Sequence, residues 1–231
     1  MKVRTLLPPT LVAVLAAACG DDDPATPTTS ASPSPATQTS MSFFVTSTTN
    51  TTGDLGGLAG ADARCQSLGA AAGQGARTWR AYLSVERDAA NGNNPTDARS
   101  RIGNGPWRNA AGVVIAQNVS DLHARSGDAG VFLDERGQRV NGQWSGSPTP
   151  NQHDILTGST ADGRLMAGMT CSDWTSDSSA QAAQVGHSDG LGPNMNATPP
   201  LNSWNSAHAN ESCANTAPRG GAGKIYCFAI N

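Results

Sequence analysis

The side chains with chemistry to offer are few and widely spaced. Four of the five cysteines, Cys65, Cys171, Cys213 and Cys227, stand at long intervals with no Cys-x-x-Cys pair. Zinc or thioredoxin-type redox chemistry wants close pairs. An even set in an exported domain instead forms disulfides, here two, and spacing alone leaves three pairings open. The four histidines, His123, His153, His187 and His208, share neither helical nor hairpin spacing. Each is read as a polar or structural group, and no metal ligands are assigned. Carboxylates such as Asp173 and Asp177 are plentiful, but nothing singles out a pair for glycoside hydrolysis. No Gly-x-Gly-x-x-Gly loop or Walker pattern occurs. No catalytic residue is assigned, and the chain reads as a non-enzyme. Asp189, Asn194 and Asn196 offer calcium-type oxygen ligands in a glycine-rich turn, although no cofactor is expected. Trp144 and Trp204 sit among Gly, Ser and Asn, where an aromatic can stack on a sugar or anchor a protein contact. These two are the candidate ligand-binding residues. Trp174, close to Cys171, reads as core packing against a disulfide.

Cys19 points to a different chemistry. Lys2 and Arg4 precede the apolar run Leu11–Leu15 and the small residues Ala16-Ala17-Ala18. That order describes a secretory signal, and a cysteine directly after it resembles a lipobox, with Ala16 where the strongest versions carry leucine. Residues 1–18 are then a lipoprotein signal peptide, and Cys19 is the acylated first residue of the mature chain. Two or more acyl chains hold a protein stably on a membrane. The apolar run is shorter than the ~20 residues a membrane span needs. Residues 19–41 comprise the lipidated cysteine and a stretch rich in Pro, Thr and Ser. That stretch is too poor in large apolar side chains to offset the entropy of ordering, so it reads as a tether. Gly20 after the cysteine argues for placement in the bacterial envelope as an outer-membrane lipoprotein, periplasmic or surface-exposed.

Residues 42–231 are enough for one domain with a core. The whole chain has 15 Lys and Arg against 18 Asp and Glu. Losing Lys2 and Arg4 with the signal moves the net charge from −3 to −5 and leaves Lys224 as the single lysine. Without a basic run, nucleic acid is not an expected partner. The 26 glycines and low charge indicate a loop-rich fold in place of a helical bundle.

The elements that must position these groups are short. Ser42–Ser47 is aromatic and β-branched and reads as a strand. Leu58, Ala61, Cys65 and Leu68 recur at spacings of three and four, which predicts a helix over 58–72 with Cys65 on its inner face. Trp79–Ser84 alternates as a strand, Pro95–Arg99 starts a short helix, and Val119–Ala124 makes one helical turn. Val131–Leu133 and Gln138–Val140 flank a hairpin. From Asn141 to Gly223 regular pattern nearly vanishes, which suggests a stapled loop region around Cys171 and Cys213. Lys224–Ile230 reads as a strand buried on both faces, with Ile225, Cys227 and Ala229 sharing one of them. The first and last strands are expected to pair.

Several of these runs, in order, resemble a known family. Thr52–Cys65 resembles the first helix of the endostatin-like domain at the C-terminus of collagens XV and XVIII, and Trp79–Ser84 the strand after it. Val131–Gly137 is similar to the central hairpin. Thr157-Gly158-Ser159, Gly163-Arg164, Cys171-Ser172-Asp173-Trp174, Cys213 and Ile225-Tyr226-Cys227 follow in the family's order. Bacterial relatives include the DUF1554 lipoproteins, and the similarity covers about 43–231. It implies an α+β, C-type-lectin-like fold with nested disulfides, Cys65–Cys227 and Cys171–Cys213. Departures limit the functional transfer. The collagen domains bind zinc through N-terminal histidines, and Ala36–Ser47 has none. Their heparin-binding arginine clusters have no counterpart among the scattered Arg77, Arg80, Arg87, Arg99 and Arg101, and the calcium-dependent sugar motifs of true C-type lectins are absent. The expectation is a membrane-anchored binding or adhesion module for an extracellular glycan or protein. An enzyme with a loop-built site, or a structural envelope lipoprotein, are the alternatives.

Overall fold

The computed structural model describes residues 40–231. The signal peptide, Cys19 and nearly all of the tether lie outside the described residues. No helix among the described residues is long and apolar enough to cross a membrane.

In chain order the elements are β1 (Phe43–Val45), α1 (Gly57–Ala71), β2 (Trp79–Ala81), β3 (Val85–Asp88), β4 (Asn94–Thr96), β5 (Trp107–Arg108), β6 (Val114–Ala116), α2 (Val119–Ala124), β7 (Asp154–Leu156), β8 (Gln184–His187), β9 (His208–Ala209) and β10 (Gly221–Ala229). The domain is therefore mixed α and β, mostly short strands. The main sheet runs β1-β10-β7-β8-β9, with β2 also on β10. The first and last strands of the described residues do pair: β1 lies antiparallel to β10, Phe43 opposite Phe228. All nine residues of β10 are buried, and its side chains alternate between two cores. Ile225, Cys227 and Ala229 join Phe44, Trp79 and Trp174 on one face. Tyr226 and Phe228 join Phe43, Trp107, Phe132 and Trp204 on the other. This is the two-sided strand that the unbroken apolar run predicts.

Helix α1 covers the first core. A left-handed Gly56 (φ 73°) lets the chain turn into it, a conformation glycine adopts without a Cβ penalty. Two polar side chains one turn apart close the edge of β2: Gln66 Oε1 accepts from Trp79 N at 3.1 Å and Asp62 Oδ1 from Ala81 N at 2.8 Å. Buried backbone donors on a strand edge need such partners. Cys65, on the inner face, bonds to Cys227 of β10, and Cys171 bonds to Cys213. The nested pairing that the family resemblance implied is thus present.

Three expectations need correction. Residues 94–96 form strand β4 against β3, and the helical turn begins later, at Ala98–Ser100; the proline lies on a ribbon strand and not in a first turn. Residues 131–140 contribute a tight turn with one bridge, Leu133 to Arg139, in place of a full hairpin. The stretch 141–223 is not outside the sheet, since it supplies β7, β8 and β9. These strands are only two to four residues long, too short for a period-two pattern to stand out.

Lys224 is buried in β10 with its ammonium donating to the carbonyls of Thr46 and Ser47 at 3.0 and 2.8 Å. Burial, reinforced by the charge of Arg64, lowers its pKa from 10.5 to about 8. The unfolded chain keeps this proton to higher pH than the folded one. The group's contribution therefore favours folding increasingly as pH rises from about 8 towards 10.5, and is least favourable below that window. Urea unfolding at pH 7 and pH 10 should show a steeper gain for the native protein than for Lys224→Met. Equal gains in both would contradict the assignment.

Candidate functional site

Three histidines that the sequence scatters are brought together at one end of β7, β8 and β9. Asp154 on β7 pairs directly with His187 on β8. His208 on β9 pairs with Val185, two residues along β8 from His187. Side chains two apart on a strand share a face, so Asp154, His187 and His208 converge. His153 joins them from the residue before β7. His153 Nε2 is 3.2 Å and His187 Nε2 3.4 Å from Asp154 Oδ1, and His208 Nε2 is 3.6 Å from Asp154 Oδ2. The His153 and His187 rings stack with centroids 4.3 Å apart, and His208 meets His187 edge-on at 4.9 Å. Asp154, His153 and His187 are almost wholly buried, while the His208 side chain is 26 % exposed and forms the solvent side of the cluster.

A second layer fixes each ring. His153 Nδ1 lies 2.7 Å from Asp189 Oδ1, His187 Nδ1 2.7 Å from the carbonyl of Leu201, and His208 Nδ1 2.8 Å from the carbonyl of Ala209. Asp189 also accepts from Gln143 N and Leu191 N. Burial alone would raise its carboxyl pKa, but the bond and charge of His153 with those two N–H groups outweigh it, and the net shift is downward. Burial, followed by the charge of His153, lowers His187 to about 4, so its ring is neutral at ordinary pH. His208 is shifted up by its contact with Asp154. Gly186 permits the close approach of the segment that carries His208, because a Cβ there would overlap the Trp204 carbonyl.

The remaining sequence candidates fall elsewhere. Trp204 is fully buried, with its Nε1 donating to the Leu122 carbonyl at 3.0 Å and its ring against Tyr82, Phe132 and Tyr226. This corrects its assignment to a ligand surface. Trp144 is half-buried, donates to the Val140 carbonyl and lies under the Arg139 guanidinium at 5.2 Å, so it keeps a surface face. Asp189, Asn194 and Asn196 do not act together as a calcium set: Asp189 faces His153, whereas Asn196 Oδ1 accepts from Thr198 N in its own turn. His123 bridges the Tyr82 hydroxyl and the Val119 carbonyl. Trp174 is buried, as expected.

A 590 Å³ open cleft lies on another part of the domain, beside the first turn of α1. Its floor is an ion triad: Asp62 Oδ2 is 2.7 Å from Arg80 and 2.8 Å from Arg101. Arg87 and Asp173, 3.8 Å apart, also line it. Asp173 is presented by a left-handed turn, Cys171–Trp174, with φ between 48° and 66° at four consecutive non-glycine residues. That conformation costs about 1–2 kcal/mol per residue. It is held by the Cys171–Cys213 bond, by Trp174 Nε1 donating to the Ser84 carbonyl and by Asp173 accepting from Glu86 N.

The trace of the histidine cluster in the sequence is the adjacency of acid and imidazole in His153-Asp154, directly before Ile155-Leu156, and in His187-Ser188-Asp189. No protein-family model and no curated protein sequence matches the chain.

Proposed function

We propose that this chain is a membrane-tethered recognition head of the C-type-lectin-like class, held outside the cytoplasm, that binds an extracellular glycan or protein without transforming it. The observation that carries this reading is the cleft beside α1. It is broad and open, and its walls are prepositioned charged groups with their own partners. Such a surface suits a polar ligand that exchanges hydrogen bonds with fixed donors and acceptors. The Asp62 and Asp173 carboxylates are engaged by arginines and backbone N–H groups, which suits binding better than proton transfer. Two disulfides fit an oxidising, exported location. The family resemblance is supported by the paired terminal strands and by the helix-to-last-strand disulfide.

Arg87 is the most exposed of the cleft arginines, its side chain 77 % accessible, so Arg87→Ala should leave the fold intact. Screening the full chain against glycan and matrix-protein arrays should reveal a ligand whose affinity drops about tenfold in Arg87→Ala, the loss of one charge-assisted contact. A ligand bound equally well by the variant would move the site away from the cleft. Cys19→Ala should shift the protein from the membrane to the soluble fraction, and continued membrane association would remove the lipid anchor from the proposal.

A further inference from the structure

We propose that His153, Asp154, His187 and His208 bind one divalent first-row transition-metal ion, zinc by preference. Hydrogen-bond donors and acceptors do not balance in this cluster. The groups facing the three Nδ1 atoms are a carboxylate and two backbone carbonyls, all of which only accept. Each Nδ1 must therefore carry the ring proton. In the neutral ring each Nε2 is then a lone pair, and all three are directed at the carboxylate of Asp154, which is itself acceptor-only when ionised. Five acceptor atoms converge with no donor among them.

The structure registers this imbalance. Among the described residues, four buried side-chain polar atoms lack a hydrogen bond: both oxygens of Asp154, His187 Nε2 and the neighbouring Ser188 Oγ. Three of the four belong to this one cluster. Buried polar atoms are nearly always paired, and a buried carboxylate without a partner is costly. A cation satisfies all these acceptors at once. A doubly protonated His208 would supply one donor, to Asp154 Oδ2, but satisfying Asp154 Oδ1 as well requires a charged imidazole inside the buried pair stacked 4.3 Å apart, which burial opposes.

The donor set also selects the class of ion. Three imidazoles with one carboxylate suit zinc and its first-row neighbours and are too nitrogen-rich for calcium or magnesium. One ligand atom each from His153, Asp154 and His187 already lies within 4.8 Å of the others. Bonds of about 2.0–2.2 Å draw these atoms slightly inward and tilt the two stacked rings until their lone pairs meet. His208, on the exposed side, completes four-coordination. Asp189 and the carbonyls of Leu201 and Ala209 are the outer partners that fix tautomer and ring orientation. The ligands come from one end of β7, β8 and β9, so the ion cross-links three strands that are otherwise only two to four residues long. This proposal is independent of the cleft, and either can fail without the other.

The test uses the full chain without a polyhistidine tag, incubated with zinc chloride and dialysed, then assayed by elemental analysis alongside Asp154→Asn, His187→Gln and Asp189→Asn. The expected result is about one zinc per chain, in keeping with a closed four-ligand site. Occupancy should fall at least tenfold in Asp154→Asn and His187→Gln, and affinity about 10–100-fold in Asp189→Asn, which leaves every ligand in place. Circular dichroism and a non-reducing peptide map check that each variant folds. Should a variant fail to fold, nitrogen-15 NMR of the native imidazoles decides the question. Zinc should shift the Nε2 resonances of all three rings and leave each Nδ1 protonated. Stoichiometry below about one-tenth in the native protein, unchanged zinc affinity in Asp154→Asn, or Nε2 atoms that stay protonated in the presence of zinc would each overturn the site.

Discussion

Cys65→Ala is expected to lower the melting temperature by about 10–20 °C and to prevent accumulation of folded protein at 37 °C. The Cys65–Cys227 bond closes a loop with a sequence separation of 162 residues. Loop-closure entropy assigns such a cross-link about 5 kcal/mol as an upper figure, and the Cys171–Cys213 bond, with a separation of 42, about 4 kcal/mol. A domain of this size has a net stability of only about 5–15 kcal/mol, and each kilocalorie moves its melting point by about 2–4 °C. Position adds to the effect. Both outer cysteines are fully buried in the first core, and their bond ties α1 to the last strand, which carries residues of both cores. Thermal unfolding followed by circular dichroism checks the expectation. A shift under about 5 °C would mean that packing alone holds α1 on β10.

Trp204→Ala is expected to cost about 3–5 kcal/mol, the range for removing a large buried aromatic side chain. The indole touches aromatic rings from several elements of the second core, so few neighbours can collapse into the space. Its loss also leaves the Leu122 carbonyl without the indole N–H that it accepts, adding about 1–3 kcal/mol if that group stays dry. The backbone of Trp204 is also close to β8, where a Cβ at Gly186 would overlap its carbonyl, and Tyr226 of β10 donates its hydroxyl to the same carbonyl at 2.6 Å. The companion variant Trp144→Ala removes a half-buried ring and should change stability by about 1 kcal/mol or less. Chemical denaturation of the two variants side by side distinguishes them. Similar losses in both would contradict the assignment of Trp204 to the core and Trp144 to the surface.

How much of this was legible in the sequence varied with the length of each element. Helix α1 was predicted within one residue at each end because fifteen residues allow the three-and-four spacing of Ala61, Cys65 and Leu68 to repeat. Strand β10 was legible from its apolar run, and the division of Ile225, Cys227 and Ala229 from Tyr226 and Phe228 was correct, but the strand begins earlier, at Gly221, and Ile230, expected beside Tyr226 and Phe228, lies past its end and is 41 % exposed. The inward placement of Trp174 followed from its neighbour Cys171. Strands β7, β8 and β9 were missed because two to four residues cannot display a period, and they are separated by loops of Gly, Ser, Asn and Pro. With those strands unseen, the cluster they carry was also unseen. His153, His187 and His208 become neighbours only through the antiparallel pairing of Asp154 with His187 and of Val185 with His208. Trp204 was misassigned for a related reason. Its sequence neighbours are small and polar, but these form a close-packed turn against β8, and the ring is directed inwards. Composition reports the neighbours along the chain and is silent about those across it.

The histidine cluster changes how the loop-rich half of the domain is understood. The Cys171–Cys213 disulfide closes a loop that contains His187 and His208, while His153 and Asp154 reach the cluster from the start of β7, outside that loop. Loops built on a rigid scaffold are where recognition surfaces are commonly placed. A metal cross-link between β7, β8 and β9 would give the short strands a rigidity that their hydrogen bonds alone do not supply.

If the convergent acceptors of His153, Asp154, His187 and His208 surround a metal ion, the ion itself is observable. Anomalous X-ray diffraction at the zinc edge, on crystals of the zinc-incubated chain, tests for it most directly. The account predicts a single strong peak within bonding distance of the three Nε2 atoms and the Asp154 carboxylate, with the His153 and His187 rings tilted out of their stack. A refined structure with no anomalous peak there and those rings still parallel would contradict it.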